Sequence, residues 1–198
     1  TDIANSPSQS FGEVKPGDIK YVDQNGDNVI DEKDVVYLGK RYGWQGAPFT
    51  LGVNFTAKWN NITFFVLGTG SFGASAMKNS QYYWVFGDRK YSEVVRGRWT
   101  EETKETATYP RLTTKSGDNN FRDSDFWLYS TDQFNIARVQ VTYDFPKSVF
   151  NGTFVNDLSM YVSGSNLLKI AKERKILELN TGGSPQTRFF NIGLKAVF

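Results

Sequence analysis

The chain has 198 residues and a formal net charge of +2, and it contains neither cysteine nor histidine. Their absence excludes disulfide frameworks, thiol nucleophiles, histidine bases and nearly all transition-metal sites, and the small charge gives no reason to expect a nucleic-acid partner. The longest apolar run, 62–70, is far shorter than the roughly 18 residues of a membrane-spanning helix. Aromatic residues make up 16% of the chain. The lack of a long apolar run does not exclude membrane-spanning β-strands, because each of them needs only about 9–11 alternating residues.

Residues 1–16 show no periodicity and predict a loop, and a cluster of oxygen-bearing side chains follows at 23–34. These side chains recur at positions 1, 3, 5, 9 and 12 of the twelve-residue stretch, and a main-chain carbonyl stands at position 7. This is the ligand spacing of a calcium loop, in which oxygen atoms converge on a hard cation at about 2.3–2.6 Å. We therefore predict a structural Ca²⁺ or Mg²⁺ site with the ligands Asp23, Asn25, Asp27, Val29 (through its carbonyl), Asp31 and Asp34.

Two positions depart from the usual calcium loop. Asn28 stands where a glycine normally makes the sharp turn, although asparagine tolerates a positive φ better than most residues. Asp34 occupies the place of the bidentate glutamate and offers a shorter carboxylate. We expect a weak affinity, about 10⁻⁴–10⁻³ M, and a role in making the loop rigid. The alternative is an Asx-rich turn that holds no metal.

Five stretches of alternating apolar and polar residues predict β-strands at 49–59, 62–72, 134–145, 158–164 and 189–198. The first has eleven residues in strict alternation, a length that matches one bilayer crossing, and the two residues after it predict a tight hairpin. The residues predicted to face lipid are Phe49, Leu51, Val53, Phe55, Ala57 and Trp59 in the first strand; Val139, Val141, Tyr143 and Phe145 in the third; Leu158, Met160 and Val162 in the fourth; and Phe190, Ile192, Leu194, Ala196 and Phe198 in the fifth.

The second strand alternates less regularly than the others. We assign the face that carries Thr63, Thr69 and Ser71 to the lumen of a barrel, and Phe65 and Leu67 fall on that same face. Apolar side chains on a lumen-facing surface need an apolar neighbour, so we expect these two to contact something inside the barrel.

The connectors between the strands alternate in length, and this predicts their side of the membrane. The short connectors at 60–61 and 146–157 are expected to be periplasmic, and the long loops at 1–48, 73–132 and 168–187 extracellular. Five strands cannot close, because the smallest outer-membrane barrels have about eight and an open edge in lipid is costly. If the strands are transmembrane, we therefore expect the chain to be the end of a larger barrel or to pair with another chain.

The predicted fold is all-β, with about five carboxy-terminal antiparallel strands of a large transmembrane β-barrel and long extracellular loops. Residues 1–48 are expected to form an extracellular loop that contains the metal loop at 23–34. Residues 49–198 are expected to form the barrel strands and the remaining extracellular loops.

Several segments, in order, resemble the SusC/RagA class of TonB-dependent outer-membrane transporters. They are Pro-Gly-Asp-Ile-Lys-Tyr at 16–21, the acidic loop at 23–31, Asp-Ser-Asp-Phe-Trp-Leu at 123–128, Ala-Arg-Val-Gln-Val-Thr-Tyr at 137–143 and Tyr-Val-Ser-Gly-Ser-Asn-Leu at 161–167. The spacing of Asn191, Gly193, Ala196 and the terminal Phe198 is also similar to the carboxy-terminal signal by which outer-membrane barrels are recognised for insertion.

This resemblance implies a multi-pass protein of the outer membrane of a Gram-negative bacterium. The full transporter would be a barrel of roughly 22 strands whose lumen is filled by an amino-terminal plug. It would import oligosaccharides or peptides, and it would receive energy from TonB through the amino-terminal part outside this chain. A SusD-like surface lipoprotein would cover its extracellular loops. The expected partners are thus the remaining barrel and plug, the lipoprotein, TonB, lipid and cargo.

The sequence leaves two other functions to consider, and it does not decide the role of one group of aromatic residues. The alternative function is a secreted, calcium-stabilised β-sandwich that serves as a binding or adhesion module. An enzyme is not expected, because Glu101, Glu102, Glu105, Asp123 and Asp125 lie in polar runs without a catalytic signature; we predict no catalytic residue and no organic cofactor. The loop aromatics suit either cargo stacking or packing against the lipoprotein; they are Tyr82, Tyr83, Trp84 and Trp99.

Overall fold

A computed structural model describes residues 2–39, 41–42, 46–114 and 119–198, with the backbone alone described at 41–42. The contacts divide the chain into two compact units. Unit 1 consists of 1–39 and 77–129, and unit 2 of 40–76 and 130–198. In the described part of the chain, no helix is both long enough and apolar enough to cross a membrane.

Regular structure in the described residues is almost entirely β-strand. Short 3₁₀ helices lie at Glu32–Asp34, Glu93–Gly97, Asp125–Trp127 and Lys147–Phe150. The strands and the α-helix are β1 (Ser8–Gln9), β2 (Val29–Ile30), β3 (Arg41–Tyr42), β4 (Phe49–Trp59), β5 (Ile62–Phe72), β6 (Ala74–Met77), β7 (Leu128–Ser130), β8 (Gln133–Asp144), β9 (Asp157–Ile170), α1 (Arg174–Leu179) and β10 (Phe189–Val197).

Unit 2 is built on one five-stranded sheet with the order β10-β9-β8-β5-β4, in which every neighbouring pair is antiparallel. All five predicted strands are present, and the predicted all-β class is confirmed. β9 is longer than predicted, since it continues beyond residue 164 to Ile170. β5 and β8 pair directly although about sixty residues separate them in the sequence. The long excursion at 73–132 therefore leaves the sheet and returns to the neighbouring position.

A β-bulge in β8 was not predicted. Arg138 pairs with Leu67 of β5, but Ile136 pairs with the very next residue, Gly68, so Ala137 is an extra residue in the ladder. A one-residue shift moves every following side chain to the other face of a strand. The bulge thus places apolar residues from both halves of β8 on one face, namely Phe134, Ile136, Val139, Val141 and Tyr143.

Glycines make room for an aromatic ring on this face. A Cβ atom at Gly68 would approach the Phe134 ring to less than 3.0 Å, and one at Gly70 would lie 2.6 Å from the Phe72 ring. Two rings therefore cover two glycines in the same part of the sheet, and a larger residue at either glycine would displace them.

Unit 1 has an aromatic core that the pattern of its sequence does not predict. The rings of Phe121 and Trp127 stack with centroids 5.8 Å apart, and Tyr109 lies 5.7 Å from Trp127 in an edge-to-face arrangement. Phe86 and Trp84 contact the same Phe121 ring at 5.1 and 6.2 Å. The excursion at 73–132, predicted as polar loop, therefore contains its own packed core.

Polar contacts join the two stretches of unit 1. The Asp18 side chain is fully buried and pairs with Arg111, whose Nε lies 2.6 Å from Asp18 Oδ1. Asn120 donates to the same carboxylate at 2.7 Å and accepts from the main-chain N–H of Ile19 at 2.8 Å. Tyr21 donates its hydroxyl hydrogen to the Asn119 carbonyl at 2.6 Å, and burial raises the pKa of Tyr21 to about 12. The phenol therefore stays protonated at neutral pH.

Candidate functional site

The strand register brings the predicted outward residues together as one continuous apolar face. Directly opposite residues in an antiparallel pair share a face. One row of such residues crosses all five strands, namely Ala57, Phe64, Val141, Val162 and Ile192. The face consists of Phe49, Leu51, Val53, Phe55, Ala57, Trp59, Ile62, Phe64, Val66, Gly68, Gly70, Phe72, Phe134, Ile136, Val139, Val141, Tyr143, Leu158, Met160, Val162, Gly164, Leu168, Ile170, Phe190, Ile192, Leu194 and Ala196.

Much of this apolar face is exposed within the described chain. Leu51 is 40% exposed, Val141 44% and Leu194 70%. Contiguous exposed apolar patches larger than a few hundred Å² are rare on soluble monomers and mark an interaction with another apolar surface. The face spans all five strands, so it is suited to contact with an extended apolar medium.

Aromatic rings lie at both ends of the face. Phe49 and Phe72 contact each other at one end, with centroids 6.0 Å apart. Tyr143 and Phe145 contact each other at the other end at 5.0 Å, and Trp59 lies at the same end with 73% exposure. At a rise of about 3.3 Å per residue and a tilt of about 40°, the ten steps of β4 span about 25 Å. That equals the height of the apolar band of an outer-membrane barrel.

The opposite face of the sheet is polar, as predicted. Arg138 donates from Nη2 to Gln140 Oε1 at 2.7 Å, and Gln140 donates to Thr142 Oγ1 at 3.0 Å. Phe65 and Leu67 pair with Gln140 and Arg138 in the register, so their predicted position on this face is confirmed. Two apolar side chains thus lie among hydrogen-bonding groups, on the surface that would line a lumen.

The predicted metal loop is an ordered turn held by its own side chains. The Asp23 carboxylate accepts from the N–H groups of Gly26 and Asn28 at 2.7 and 2.8 Å, and Asn28 takes the positive φ of 62° that a sharp turn requires. Asp34 accepts from the N–H groups of Asp31 and Gln24, each at 2.8 Å, and these two hydrogen bonds lower the pKa of its carboxyl.

The remaining predicted ligands also organise the turn. Asn25 and Asp27 accept from the N–H groups two residues further on at 2.9 Å each. The Lys33 ammonium lies 4.0 Å from Asp27 and 3.8 Å from Asp31. The oxygen atoms of these side chains are ligands that suit a hard cation. Among the described residues, however, no three Asp, Glu, His or Cys side chains converge as a metal site. The metal therefore stays a prediction.

The loop aromatics that suit cargo or lipoprotein contact also make contacts within unit 1. Tyr82 and Tyr83 contact each other edge to face at 5.0 Å, and Trp84 belongs to the aromatic core. Trp99 lies over Gly17, where a Cβ atom would come within 3.0 Å of the indole ring. The sequence offers no signal for the contacts of Trp84 and Trp99, because the residues they meet are distant in the chain. The carboxylates weighed as catalytic are exposed, namely Glu101, Glu102, Glu105, Asp123 and Asp125.

Unit 1 contains a groove of about 1370 Å³ beside its aromatic core. Its lining mixes aromatic side chains with charges of both signs, including Trp99, Lys104, Tyr109, Arg122 and Phe126. Pockets for small molecules measure about 300–1000 Å³, so this groove exceeds that range. The mixed charge gives no preference for a cationic or an anionic ligand.

Comparison with known proteins points to one class. No protein-family model matches the chain. A curated relative, TonB-dependent receptor P26 of Formosa agariphila, is 26% identical over 92% of this chain, and the match covers 20% of that receptor. The chain thus spans about a fifth of the length of this curated relative.

Solved structures give the same result for the fold. The RagAB peptide transporter matches with a TM-score of 0.60 at 21% identity, over 75% of this chain and 17% of that one. The RagAB peptide importer in its open-open state matches with a TM-score of 0.58 at 21% identity and the same coverage. Its closed-closed state matches with a TM-score of 0.51 at 22% identity, over 63% of this chain and 14% of that one. The predicted resemblance is therefore confirmed.

Proposed function

We propose that this chain, whose fold is that of a segment of a SusC/RagA-type TonB-dependent transporter, forms part of the barrel wall and the surface loops of an outer-membrane importer. The observation that supports this most strongly is the apolar face, which runs without a break across all five strands. In an importer this face contacts lipid, and the polar face lines the lumen.

Both edges of the sheet require further strands. β4 has eleven residues and β10 has nine, and each lies at an edge of the five-stranded sheet. Unpaired backbone groups in lipid cost several kcal/mol each. We infer that the remaining barrel of the same transporter pairs with both edges, and the match to only a fifth of the curated relative is compatible with this.

The other partners follow from the same proposal. RagAB is described as a peptide importer, and we propose peptides or oligosaccharides as cargo. A SusD-like lipoprotein would cover the extracellular loops, TonB would act through a part of the protein outside this chain, and a plug would meet Phe65 and Leu67 in the lumen. The transporter would reside in the outer membrane.

The secreted β-sandwich is less well supported. A sandwich buries one face of each sheet against the other sheet, whereas Leu51, Val141 and Leu194 are between 40 and 70% exposed. An enzyme has no support either, because the carboxylates considered for catalysis are exposed and the relatives are described as receptor and importer.

Cell fractionation tests the proposed function. We expect the chain in the outer-membrane fraction, as part of a polypeptide about five times longer that resists unfolding in detergent until heated. Deletion of this region from the longer polypeptide should abolish uptake of its cargo. Recovery of a 22.4 kDa protein in the aqueous fraction would contradict the proposal and favour the secreted module.

We also propose that the loop at 23–34 binds Ca²⁺ or Mg²⁺ to stabilise unit 1. Millimolar Ca²⁺ should slow proteolysis within this loop, with half the effect at about 10⁻⁴–10⁻³ M. The double variant Asp23→Asn/Asp31→Asn should lose this protection because two charged ligands become neutral. Asp88→Asn, at an exposed aspartate outside the loop, serves as the control and should keep it. Equal protection in all three proteins would show that Ca²⁺ acts elsewhere.

A further inference from the structure

The sequence contains two Asn-Gly pairs, at 25–26 and 151–152. An asparagine that precedes glycine is prone to spontaneous deamidation, because glycine has no side chain to obstruct its own main-chain nitrogen and leaves the backbone free to rotate. The first pair lies in the predicted metal loop, and the second lies between β8 and β9. Since both pairs have the same two residues, a difference in their reactivity would come mainly from the structure around them.

Deamidation begins with an attack of the glycine nitrogen on the side-chain carbonyl carbon of the asparagine. The glycine nitrogen gives its proton to the solvent and forms a C–N bond to Cγ, and the side-chain nitrogen takes up a proton and leaves as ammonia. Water then opens the cyclic imide at either of its two carbonyls and gives aspartate or isoaspartate. The reaction thus consumes water, releases ammonia and replaces an amide by a carboxylate, and nothing is oxidised or reduced.

Hydrogen bonds hold the groups that would react at 25–26. The main-chain N–H of Gly26 donates to Asp23 Oδ1 at 2.7 Å. Asn25 Oδ1 accepts from the N–H of Asp27 at 2.9 Å, and Asn25 Nδ2 donates to Asp27 Oδ2 at 3.0 Å. Ring closure would break these hydrogen bonds. The Asp23 carboxylate also disfavours loss of the Gly26 proton, because its negative charge would then face an amide anion.

The pair at 151–152 lies in a type II β-turn at the surface. Asn151 has a φ of −56° and a ψ of 120°, and Gly152 has a φ of 85°. The N–H of Thr153 closes the turn by donating to the Phe150 carbonyl at 2.9 Å, and residues 151–154 are exposed. Within the described chain, neither the Asn151 side chain nor the Gly152 N–H makes a hydrogen bond. The rotation about ψ that ring closure needs therefore opens only an exposed turn.

We propose that Asn151 is a site of spontaneous deamidation in the folded protein, and that the turn at 23–34 protects Asn25 from the same reaction. The product has an additional negative charge between β8 and β9, and isoaspartate also lengthens the main chain by a methylene group. The turn lies outside the strands, so the sheet should tolerate both products. The inference does not depend on the proposed function, since it uses only the exposure and the local hydrogen bonds of the two turns.

Incubation of the folded full-length protein at mildly alkaline pH tests this inference, with a chelator present so that no cation contributes to the protection of 23–34. Mass spectrometry of its peptides should show that Asn151 converts at least about tenfold faster than Asn25, because the hydrogen bonds of Asn25 and Gly26 add to the barrier. In denaturant the two asparagines should convert at similar rates. The inference is wrong if Asn151 is no faster than Asn25 in the folded protein, or if the same difference persists in denaturant.

The Asp23→Ala variant identifies the source of the protection. It frees the N–H of Gly26, so it should raise the conversion rate of Asn25 severalfold and leave that of Asn151 unchanged. Asp88→Ala is the matched control, at an exposed aspartate of unit 1 outside the turn, and should change neither rate. If Asn25 converts as slowly in Asp23→Ala as in Asp88→Ala, the hydrogen bonds of the turn do not protect it, which would overturn the inference.

Discussion

The Val141→Arg variant should fail to assemble into the outer membrane. Val141 lies in the middle of the apolar face, opposite Phe64 of β5 and Val162 of β9. An arginine that faces lipid near the bilayer midplane costs about 2–4 kcal/mol, and it also interrupts a patch formed by three neighbouring strands. We expect loss of the heat-modifiable, detergent-resistant form in gel electrophoresis of outer membranes.

The adjacent residue provides the control for this prediction. Thr142 lies on the polar face and accepts a hydrogen bond from Gln140, with the Asp144 carboxylate two residues further along the same face. The Thr142→Arg variant adds the same charge to the same strand, on the side that faces the lumen, and should still assemble. If Val141→Arg assembles as well as Thr142→Arg, the apolar face does not contact lipid.

The Asp18→Ala variant should open unit 1 and leave the sheet of unit 2 intact. The Asp18 side chain is fully buried, and it pairs with Arg111 and accepts from Asn120 and from the N–H of Lys15. Removal of one partner leaves a poorly solvated charge on the other, which costs about 3–5 kcal/mol. We expect rapid proteolysis within 1–39 and 77–129, while the detergent-resistant form persists.

An exposed ion pair in the same unit gives the comparison. Glu13 and Lys15 lie 3.3 Å apart, with side chains 75 and 49% exposed. Exposed pairs contribute about 0–1 kcal/mol, so Glu13→Ala should leave the proteolysis of unit 1 nearly unchanged. Equal proteolysis of the two variants would show that the Asp18–Arg111 pair does not join the two stretches.

The sequence predicted the sheet well because alternation is a local signal. The eleven residues of β4 have the predicted bounds, and the predicted outward residues of the strands share one face. The bulge at Ala137 was missed, since a single extra residue changes the phase of alternation without changing composition. The extension of β9 to Ile170 was missed for a related reason, because Asn166 and Leu167 interrupt the alternation that Leu168, Lys169 and Ile170 resume.

Unit 1 lay beyond sequence reasoning because its contacts are between distant residues. Asp18 meets Arg111 and Asn120 about a hundred residues away, and Trp99 meets Gly17. No spacing rule links such positions, so the sequence alone does not predict how the aromatic residues of the excursion pack. The turn at 23–34 is the opposite case. Its local hydrogen bonds follow the Asx pattern that its residues favour. Metal binding at this turn stays a prediction, and so does the boundary at 48/49 between the predicted extracellular loop and the barrel strands.

Contact between the apolar face and lipid is tested most directly by the accessibility of spin labels along two strands of the intact transporter in lipid. Labels attached to single cysteines at Leu51 and Leu194 should collide readily with oxygen dissolved in the bilayer, and labels at Thr50 and Asn191 with a water-soluble nickel complex or with neither reagent. We expect this alternation with a period of two residues on both strands. Equal oxygen accessibility on the two faces, or high accessibility to the nickel complex at Leu51 and Leu194, would contradict it.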